Sequence, residues 1–313
     1  MSGAHAGDDR AVLLLGCGFT GQVVAQRLAF AGRPVVGTSR TAVGASVIRT
    51  RGARGLVWDG QDMAPLQALR GRLGAVVSFV PPTLPPPRSP AARTGAFEDV
   101  HERVLEFLAN EPVDRFVYVS STSVYGDRAG GVVDEASELS PDSPSGHARV
   151  AIEQMILASG LPTVVVRPAG IYGPGRSLLH RLAAGRLRLI GQGEAVGNRV
   201  HVHDLATTIL RAVDRGESGR VYLASDEQPA PRAEVAAFAV ERFGLPAPRY
   251  VSDAEARVRL SPDSYKRLAA SRRVDASATR DALGVRLRYP SYREGLEAIW
   301  RQEGASILDG AGE

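Results

Sequence analysis

Three glycines at fixed spacing, in the segment Gly16–Gly21, give this sequence its clearest chemical signature. They follow the apolar run Ala11–Leu15 and precede an amphipathic segment, so they stand between a predicted strand and a predicted helix. Glycines in that context allow a tight turn, close approach of the backbone to a pyrophosphate, and close packing of helix on strand. The N-terminus of the helix adds free N–H groups and a partial positive charge. The spacing predicts a dinucleotide-binding loop, with glycines that merely turn a strand into a helix as the alternative; its residues are Gly16, Gly18, Phe19, Thr20 and Gly21.

The end of the second predicted strand bears on which dinucleotide binds. Sites that prefer NAD carry an Asp or Glu there for the ribose hydroxyls. This sequence has Gly37-Thr38-Ser39-Arg40 and no acid. Ser39 and Arg40 suit a 2′-phosphate, although Arg40 could also be a solvated surface arginine. We therefore expect NADP(H) to be favoured over NAD(H).

Short apolar runs that alternate with helical patterns must position this loop, and this alternation is typical of a parallel sheet built from βαβ units. The runs are rich in β-branched residues and nearly continuous, as in strands that helices cover on both faces. Predicted strands are Val12–Leu15, Pro34–Thr38, Gly55–Trp58, Ala75–Val80, Arg115–Ser120, Thr163–Arg167 and Val221–Ala224. Predicted helices include Gln22–Ala31, Phe97–Asn110, Arg149–Ser159 and Leu205–Asp214. The fold class is α/β, a doubly wound parallel sheet.

Two interruptions indicate how the chain is divided. In Pro81–Pro90 six of ten residues are proline, which predicts an irregular loop after the fourth strand. After Ile171 the sequence pattern indicates smaller helices and loops, and the same pattern returns after Ala224. We expect a dinucleotide-binding domain over residues 1–170 plus 200–225, and a smaller discontinuous C-terminal substrate lobe over residues 171–199 plus 226–313.

The amino-acid composition excludes several classes of protein. The 313 residues are 44% hydrophobic and 23% charged, which is ordinary for a globular protein with a core. No apolar run approaches the roughly 20 residues of a membrane span, and the N-terminus lacks a signal layout. The single cysteine, Cys17, excludes a disulfide framework and a cysteine-based zinc site, so we expect a cytoplasmic protein.

The net charge of +4 does not indicate nucleic-acid binding. Lys266 is the only lysine among 38 basic residues, and the arginines are scattered among 34 acids without a basic block. Together with the abundant Gly, Pro and Ala, this usage is typical of a GC-rich, and here we expect bacterial, genome. The expected partner is a small-molecule substrate, with no nucleic acid and no membrane.

Later motifs resemble the extended short-chain dehydrogenase/reductase superfamily, in its epimerase/dehydratase branch. The resemblance runs from about Ala11 to Trp300, and its motifs are Ser120–Gly126, Arg167–Pro168, Ile171–Gly175, Val200–Asp204, Arg273–Asp275 and Tyr289–Ser291. It implies a Rossmann fold and a homodimer. It also implies that Asp59 contacts the adenine, that Val80 and Pro168 bind the cofactor, and that Ser121 bonds the reacting oxygen. A serine that only forms a turn at a strand end is the alternative for Ser121.

The segment Pro141–Gln154 fits the part of the family that carries Tyr-x-x-x-Lys, but Ser145 stands at the tyrosine position and Arg149 at the lysine position. A serine hydroxyl is a far poorer acid than a phenol of pKa about 10. Arg149 could still hold ribose hydroxyls, with a geometry different from that of an ammonium. These departures resemble an atypical bacterial subgroup with a Ser-Gly-x-x-Arg-like segment.

Other side chains could supply the missing proton donor. His147 has an imidazole of suitable ordinary pKa, although residues two apart on a helix point to different faces, and a solvated histidine is the alternative. Tyr125 and Tyr172 are phenols near the carboxyl ends of strands, where open α/β sheets bind ligands. His201, His203 and Asp204 could suggest a metal. No further ligand cluster is visible, and Asp204 would serve as a helix N-cap, so we expect none.

The resemblance leads to two hypotheses about the function of this protein. The first is an NADP(H)-dependent oxidoreductase or epimerase-like enzyme acting by hydride transfer on a small hydroxyl- or carbonyl-bearing molecule. Ser121, Ser145 and Arg149 would line its site. The proton would come from water, from His147 or from one of the tyrosines, Tyr125 or Tyr172. The second is an inactive dinucleotide-binding sensor or partner protein, favoured by the loss of the Tyr-x-x-x-Lys pair. The family's substrate-phosphate arginine would fall at Gly197, with Arg199 shifted by two positions.

Overall fold

The computed structural model describes residues 10–82 and 99–309. Its strands are, in chain order, β1 Ala11–Leu15, β2 Val35–Ser39, β3 Arg54–Val57, β4 Leu73–Ser78, β5 Arg115–Val119, β6 Val132–Val133, β7 Thr163–Pro168, β8 Gly170–Tyr172, β9 Arg188–Ile190, β10 Val196–Gly197, β11 Arg199–His201, β12 Val221–Ala224, β13 Ala230–Pro231, β14 Arg249–Val251 and β15 Arg273–Val274. Its α-helices are α1 Phe19–Phe30, α2 Ala42–Thr50, α3 Ala64–Gln67, α4 Val100–Leu108, α5 Pro144–Leu157, α6 Leu178–Ala183, α7 Val202–Arg215, α8 Arg232–Phe243, α9 Asp253–Arg259, α10 Pro262–Ala269, α11 Ser277–Leu283 and α12 Tyr292–Asp309. A 3₁₀ turn occupies Thr122–Tyr125.

A seven-stranded sheet in the order β12-β7-β5-β4-β1-β2-β3 forms the centre of the fold. Neighbouring strands from β7 to β3 run parallel. The chain starts in the middle of the sheet and builds outward in both directions, so β1 and β4 flank the point where the strand order reverses. The predicted doubly wound parallel fold is confirmed.

The described chain divides into two compact units. The first comprises residues 10–82 and 99–120, Ala148–Val166 and Ala206–Tyr222, and the second comprises Ser121–His147, Arg167–Leu205 and residues 223–309. This division gives Ser121–His147 to the second unit, whereas the sequence assigned that segment to the dinucleotide-binding domain. The functional division of the chain into cofactor and substrate domains stays a prediction.

The core of the first unit forms between strands and helices with complementary apolar faces. The strand residues Leu13, Val76 and Phe116 belong to the same buried cluster as Val104 and Ile152 from helices. In α4 the buried residues recur at helical spacing, and the Asp99 side chain caps the helix by accepting from the backbone N–H of His101. The second unit has its own core, in which α6, α8 and α12 contribute Leu179, Ala239 and Leu296.

The boundaries of several elements differ from the predicted ones. Helix α5 begins at Pro144 rather than at Arg149, because proline fits the first turn of a helix. Helix α7 begins at Val202, so Asp204 lies inside its first turn and is not the predicted N-cap. Of the predicted loop Pro81–Pro90, all but its first two residues lie outside the described part of the chain. None of the helices within residues 10–82 and 99–309 is long and apolar enough to cross a bilayer.

Candidate functional site

The glycine loop follows β1 and leads directly into α1. Gly16 has φ of +71°, a conformation that favours glycine, and its N–H donates to the Thr38 hydroxyl at 2.9 Å. Gly18 is the N-cap of α1, and no side chain of the described residues makes a capping hydrogen bond to it. A Cβ atom at Gly18 would have the Gly16 carbonyl oxygen, at 3.9 Å, as its nearest neighbour among the described residues. The residues present therefore fit a dinucleotide pyrophosphate, which would occupy the open space over Gly18 and bind the N-terminus of α1.

Cys17, between the first two glycines, is buried, and burial raises the pKa of its thiol to about 12. A thiol with such a pKa is a poor nucleophile near neutral pH. We therefore regard it as a packing residue of the loop.

The residues predicted to contact the adenosine half lie after β2 and β3. The side chain of Arg40 is exposed, and that of Ser39 is half-buried. Asp59 is exposed and accepts from the N–H of Gln61 at 2.8 Å. Each of these side chains is placed in the first unit, and each assignment stays a prediction.

The chain that leaves β4 lies against the glycine loop. The N–H of Phe79 donates to the Leu15 carbonyl at 2.9 Å. A Cβ atom at Gly16 would lie 3.1 Å from Val80 Cγ2, and one at Gly21 would lie 3.4 Å from the Phe79 ring. Val80, one of the predicted cofactor residues, is thus a direct neighbour of the loop.

Arg149, at the family's lysine position, lies in α5 within the first unit and is half-buried. Near it is Tyr118 of β5, whose side chain is fully buried. Burial raises the pKa of Tyr118, and the positive charge of Arg149 acts against this rise. Arg149 as a ligand of ribose hydroxyls stays a prediction.

In the second unit, Ser121 and Tyr125 bracket the 3₁₀ turn. The Ser121 oxygen accepts from the N–H of Ser123 at 3.1 Å, which leaves its own O–H able to donate. Tyr125 is fully buried, and its hydroxyl accepts from Arg167 Nη1 at 2.8 Å. The arginine's Cζ also lies 5.1 Å from the centroid of the Tyr125 ring. Tyr125 would need to become accessible to act as the predicted proton donor.

Ser145, at the family's tyrosine position, is tied to Asp263 in α10. Its hydroxyl donates to Asp263 Oδ1 at 2.6 Å, and its backbone N–H donates to the same oxygen at 3.0 Å. Burial alone would raise the pKa of Asp263, but the hydrogen bonds from Ser145 and Ser143 outweigh it and the pKa is lowered. The Ser145 hydrogen is therefore held by a carboxylate within the protein.

His147 is exposed at the start of α5. Its Nδ1 lies 2.9 Å from the Ser143 carbonyl oxygen. Because a carbonyl only accepts hydrogen bonds, Nδ1 carries a hydrogen in this arrangement and Nε2 can accept a proton. His147 thus has the chemistry and the exposure that a proton-transfer residue needs.

Pro168 ends β7 and is buried. Tyr172, the second alternative phenol, is also buried, and burial raises its pKa. Its hydroxyl donates to the Ser291 carbonyl at 3.4 Å. Like Tyr125, Tyr172 serves the packing of the second unit in this structure.

The histidine pair of the Val200–Asp204 motif takes part in packing. The His201 ring lies 4.0 Å from the Tyr289 ring, measured between centroids. The carboxylate of Asp204 accepts from the N–H groups of Arg288 and Tyr289 at 2.8 and 2.9 Å. Within the described residues, no group of three or more His, Cys, Asp or Glu side chains could hold a metal ion.

Sequence reasoning missed a cluster of arginines in the second unit. Burial lowers the pKa of Arg232 to about 10, and the other arginines of the cluster add to this: Arg199, Arg272, Arg267 and Arg181. Its Nε and Nη2 donate to the carbonyls of Leu268 and Arg267 at 3.0 and 2.8 Å. A Cβ atom at Gly197 would lie 3.6 Å from Arg232 Cζ. Arg232 thus brings a guanidinium next to Gly197, the position that the resemblance gives to the family's arginine, and the 34 residues between them hide this in the sequence.

Asp226, two residues after β12, is a buried acid beside this cluster. Burial raises its pKa to about 7, although the charge of Arg199 acts in the opposite direction. Its Oδ1 accepts from the Arg199 N–H at 3.4 Å, and its Oδ2 has no hydrogen-bond partner within the described part of the chain. No sequence motif pointed to this residue.

Known proteins are similar to this chain in sequence. Protein YeeZ of Escherichia coli K12 is 29% identical over 289 residues, covering 89% of this chain and 96% of that protein. The 3-diazoavenalumate denitrifying reductase of a Streptomyces species is 30% identical over 177 residues, covering 53% of this chain and 58% of the reductase, so the match spans just over half of that relative.

Two solved structures resemble the chain along nearly its whole length. A conserved protein of unknown function from Silicibacter pomeroyi is 32% identical with a TM-score of 0.77, covering 94% of this chain and 99% of that one. The dTDP-glucose 4,6-dehydratase of Bacillus anthracis, solved in complex with NAD, is 19% identical with a TM-score of 0.76, covering 95% of this chain and 97% of that one. This second likeness shows the fold alone.

The sequence also matches a family described as the NAD dependent epimerase/dehydratase family, over residues 12–224. That range includes the glycine loop, the Ser120–Gly126 motif and the Ser145–Arg149 segment. The predicted superfamily is confirmed: the chain belongs to the NAD dependent epimerase/dehydratase family.

Proposed function

We propose that this protein is an NADP(H)-dependent oxidoreductase or epimerase-like enzyme that acts on a small hydroxyl- or carbonyl-bearing substrate. The observation that carries the proposal is the loop Gly16–Gly21 at the start of α1, where a Cβ atom on Gly18 would have the Gly16 carbonyl oxygen, at 3.9 Å, as its nearest described neighbour beyond the adjacent residues. When bound, a nicotinamide dinucleotide supplies hydride transfer. The exposed Arg40, with no acid beside it, supports the choice of NADP(H).

The residues of the chain would divide the remaining work. The loop and α1 bind pyrophosphate, Arg40 binds the 2′-phosphate, and Arg149 binds ribose hydroxyls. Ser121 donates a hydrogen bond to the reacting oxygen. His147 moves the proton, because its Nε2 can accept one while Tyr125 is buried and bonded to Arg167. Ser145 anchors Asp263 and takes no part in proton transfer.

The substrate class follows from the arginine cluster. Convergent guanidiniums repel one another, and an anionic group among them would relieve that repulsion. Arg199 and Arg232 therefore support a substrate with a phosphate or carboxylate, and the dehydratase similarity makes a sugar nucleotide one member of that class. The protein would work in a bacterial cytoplasm as a homodimer.

The test is a screen of hydroxyl and carbonyl compounds, with and without phosphate groups, that follows NADPH absorbance. An active substrate should lose turnover in Ser121→Ala with an unchanged cofactor Kd. His147→Gln should lower kcat with an unchanged cofactor Kd, and Arg301→Gln, an exposed arginine variant in α12, should behave as wild type. If wild type binds NADPH but turns over no compound, the second candidate applies, a dinucleotide-binding sensor. The bond between Ser145 and Asp263 favours that candidate, because it occupies the hydroxyl at the tyrosine position.

A further inference from the structure

A buried serine, histidine and aspartate form a continuous hydrogen-bonded chain in the first unit. Ser78 Oγ lies 3.0 Å from His101 Nε2, and His101 Nδ1 lies 2.6 Å from Asp99 Oδ1. Their exposed fractions are 0%, 1% and 6%. The order of contacts is that of a hydrolase triad, but a serine without any exposed surface cannot reach a substrate. These three hydrogen-bonded side chains must therefore have a role other than hydrolysis.

The donor and acceptor groups of each side chain set the directions of these hydrogen bonds. Asp99 accepts, so His101 Nδ1 donates, and an imidazole with its one hydrogen on Nδ1 accepts from the Ser78 hydroxyl at Nε2. The Ser78 oxygen in turn accepts from the N–H of Val80 at 3.4 Å. Every link from Val80 to Asp99 therefore has a donor and an acceptor.

The two ends of the chain belong to different elements. Ser78 is the last residue of β4, and it pairs with Leu15 of β1, the residue before Gly16. Asp99 and His101 belong to the start of α4, where Asp99 also accepts from the backbone N–H of His101 at 2.9 Å. The hydrogen bonds among Ser78, His101 and Asp99 thus fix the end of β4 to the first turn of α4.

The segment held in this way is the one that lies on the glycine loop. A Cβ atom at Gly16 would lie 3.1 Å from Val80 Cγ2, and one at Gly21 would lie 3.4 Å from the Phe79 ring, so the space at both ends of the loop is bounded by residues that directly follow Ser78. A shift of Phe79 or Val80 would change the space that Gly16 and Gly21 leave to a pyrophosphate. Interiors are close-packed, so such a shift reaches its neighbours.

We propose that His101 is a positioning residue for dinucleotide binding, which acts through Ser78 on Phe79 and Val80 and thereby on the glycine loop. This inference rests on the proposed dinucleotide binding. His101 itself does not touch the cofactor. The loop geometry depends on a hydrogen bond that originates in α4.

The test compares NADPH affinity, measured by calorimetry, across variants of the chain. His101→Phe keeps a ring of similar size but removes both hydrogen bonds, and Ser78→Ala removes the link to Val80. Each should weaken binding about 10-fold, as expected for loss of one hydrogen bond of about 1.4 kcal/mol. The double variant should also be about 10-fold weaker rather than about 100-fold, since both substitutions break the same chain. His101→Gln, which restores an acceptor near Ser78, should recover most of the affinity.

Val104→Ala is the matched control, because it removes a buried side chain from the same helix without touching the hydrogen-bonded chain. It should lower the melting temperature as much as His101→Phe and leave the Kd within about twofold. The proposal is overturned if folded His101→Phe and Ser78→Ala proteins bind like wild type, if their effects multiply, or if Val104→Ala weakens binding equally. Failure of wild type to bind any dinucleotide would instead overturn the proposed function.

Discussion

The hydroxyl of Ser145 donates to Asp263 Oδ1 at 2.6 Å, across 118 residues of sequence. The bond joins α5 to α10 within the second unit. Lys266, in the same helix as Asp263, lies 3.4 Å from Asp142 and adds an ion pair between the same segments. Two polar contacts therefore hold α10 to the start of α5 and the residues before it.

A double-mutant cycle of Ser145→Ala and Asp263→Asn measures the energy of this contact. A hydrogen bond to a carboxylate contributes about 1.5–3 kcal/mol, and partial exposure of Asp263 reduces the expected coupling to about 1 kcal/mol. Urea unfolding of the four proteins gives the value. Additive effects of the two substitutions would show that the bond does not stabilise the fold.

Arg40→Asp tests the cofactor preference. An acid at the end of β2 repels a 2′-phosphate and accepts from ribose hydroxyls, so the Kd for NADPH should rise at least about tenfold and that for NADH should fall. Calorimetric titration with both cofactors gives the ratio. Unchanged NADPH affinity would contradict the role of Arg40, and Arg51→Asp, also exposed in the first unit, controls for general charge effects.

Asp226 should make stability depend on pH. Its folded pKa of about 7 exceeds the ordinary value, so the folded state retains a proton that the unfolded state releases near pH 4. Wild type should therefore lose stability relative to Asp226→Asn as the pH rises from 4 to 7, and the difference should level off above pH 7. At about 1.4 kcal/mol per pKa unit, the total reaches a few kcal/mol. The measurement is the melting temperature of both proteins from pH 4 to 8. A difference between the two melting temperatures that does not change with pH would contradict the raised pKa of Asp226.

Arg232→Gln tests the anion site in the second unit. With the glycine loop already occupied by saturating NADPH, millimolar inorganic pyrophosphate should stabilise wild type further, because the anion relieves repulsion among the arginines, and the variant should lose most of that gain. Arg301→Gln removes the same charge from an exposed position and should respond as wild type does. Equal stabilisation of all three proteins would mean that pyrophosphate binds elsewhere.

The sequence predicted the seven sheet strands to within one or two residues, because runs such as Thr163–Arg167 are continuous and β-branched. It did not predict the short pairs, such as β8 with β11, since two or three residues carry no periodicity. The glycine loop was visible because its residues are adjacent in the chain. Contacts such as Arg232 with Gly197 and Ser78 with His101 depend on tertiary packing, which residue spacing does not encode.

The most direct test of dinucleotide binding is a calorimetric titration of NADPH into wild type and Gly18→Val. Gly18 is exposed, and a Cβ atom there would have the Gly16 carbonyl oxygen, at 3.9 Å, as its nearest described neighbour beyond the adjacent residues, so we expect the valine variant to fold, which its melting temperature checks. Its side chain would fill the space over the N-terminus of α1. We expect wild type to bind NADPH more tightly than NADH and the folded Gly18→Val protein to bind neither. NADPH binding that survives in Gly18→Val, or its absence in wild type, would contradict the account.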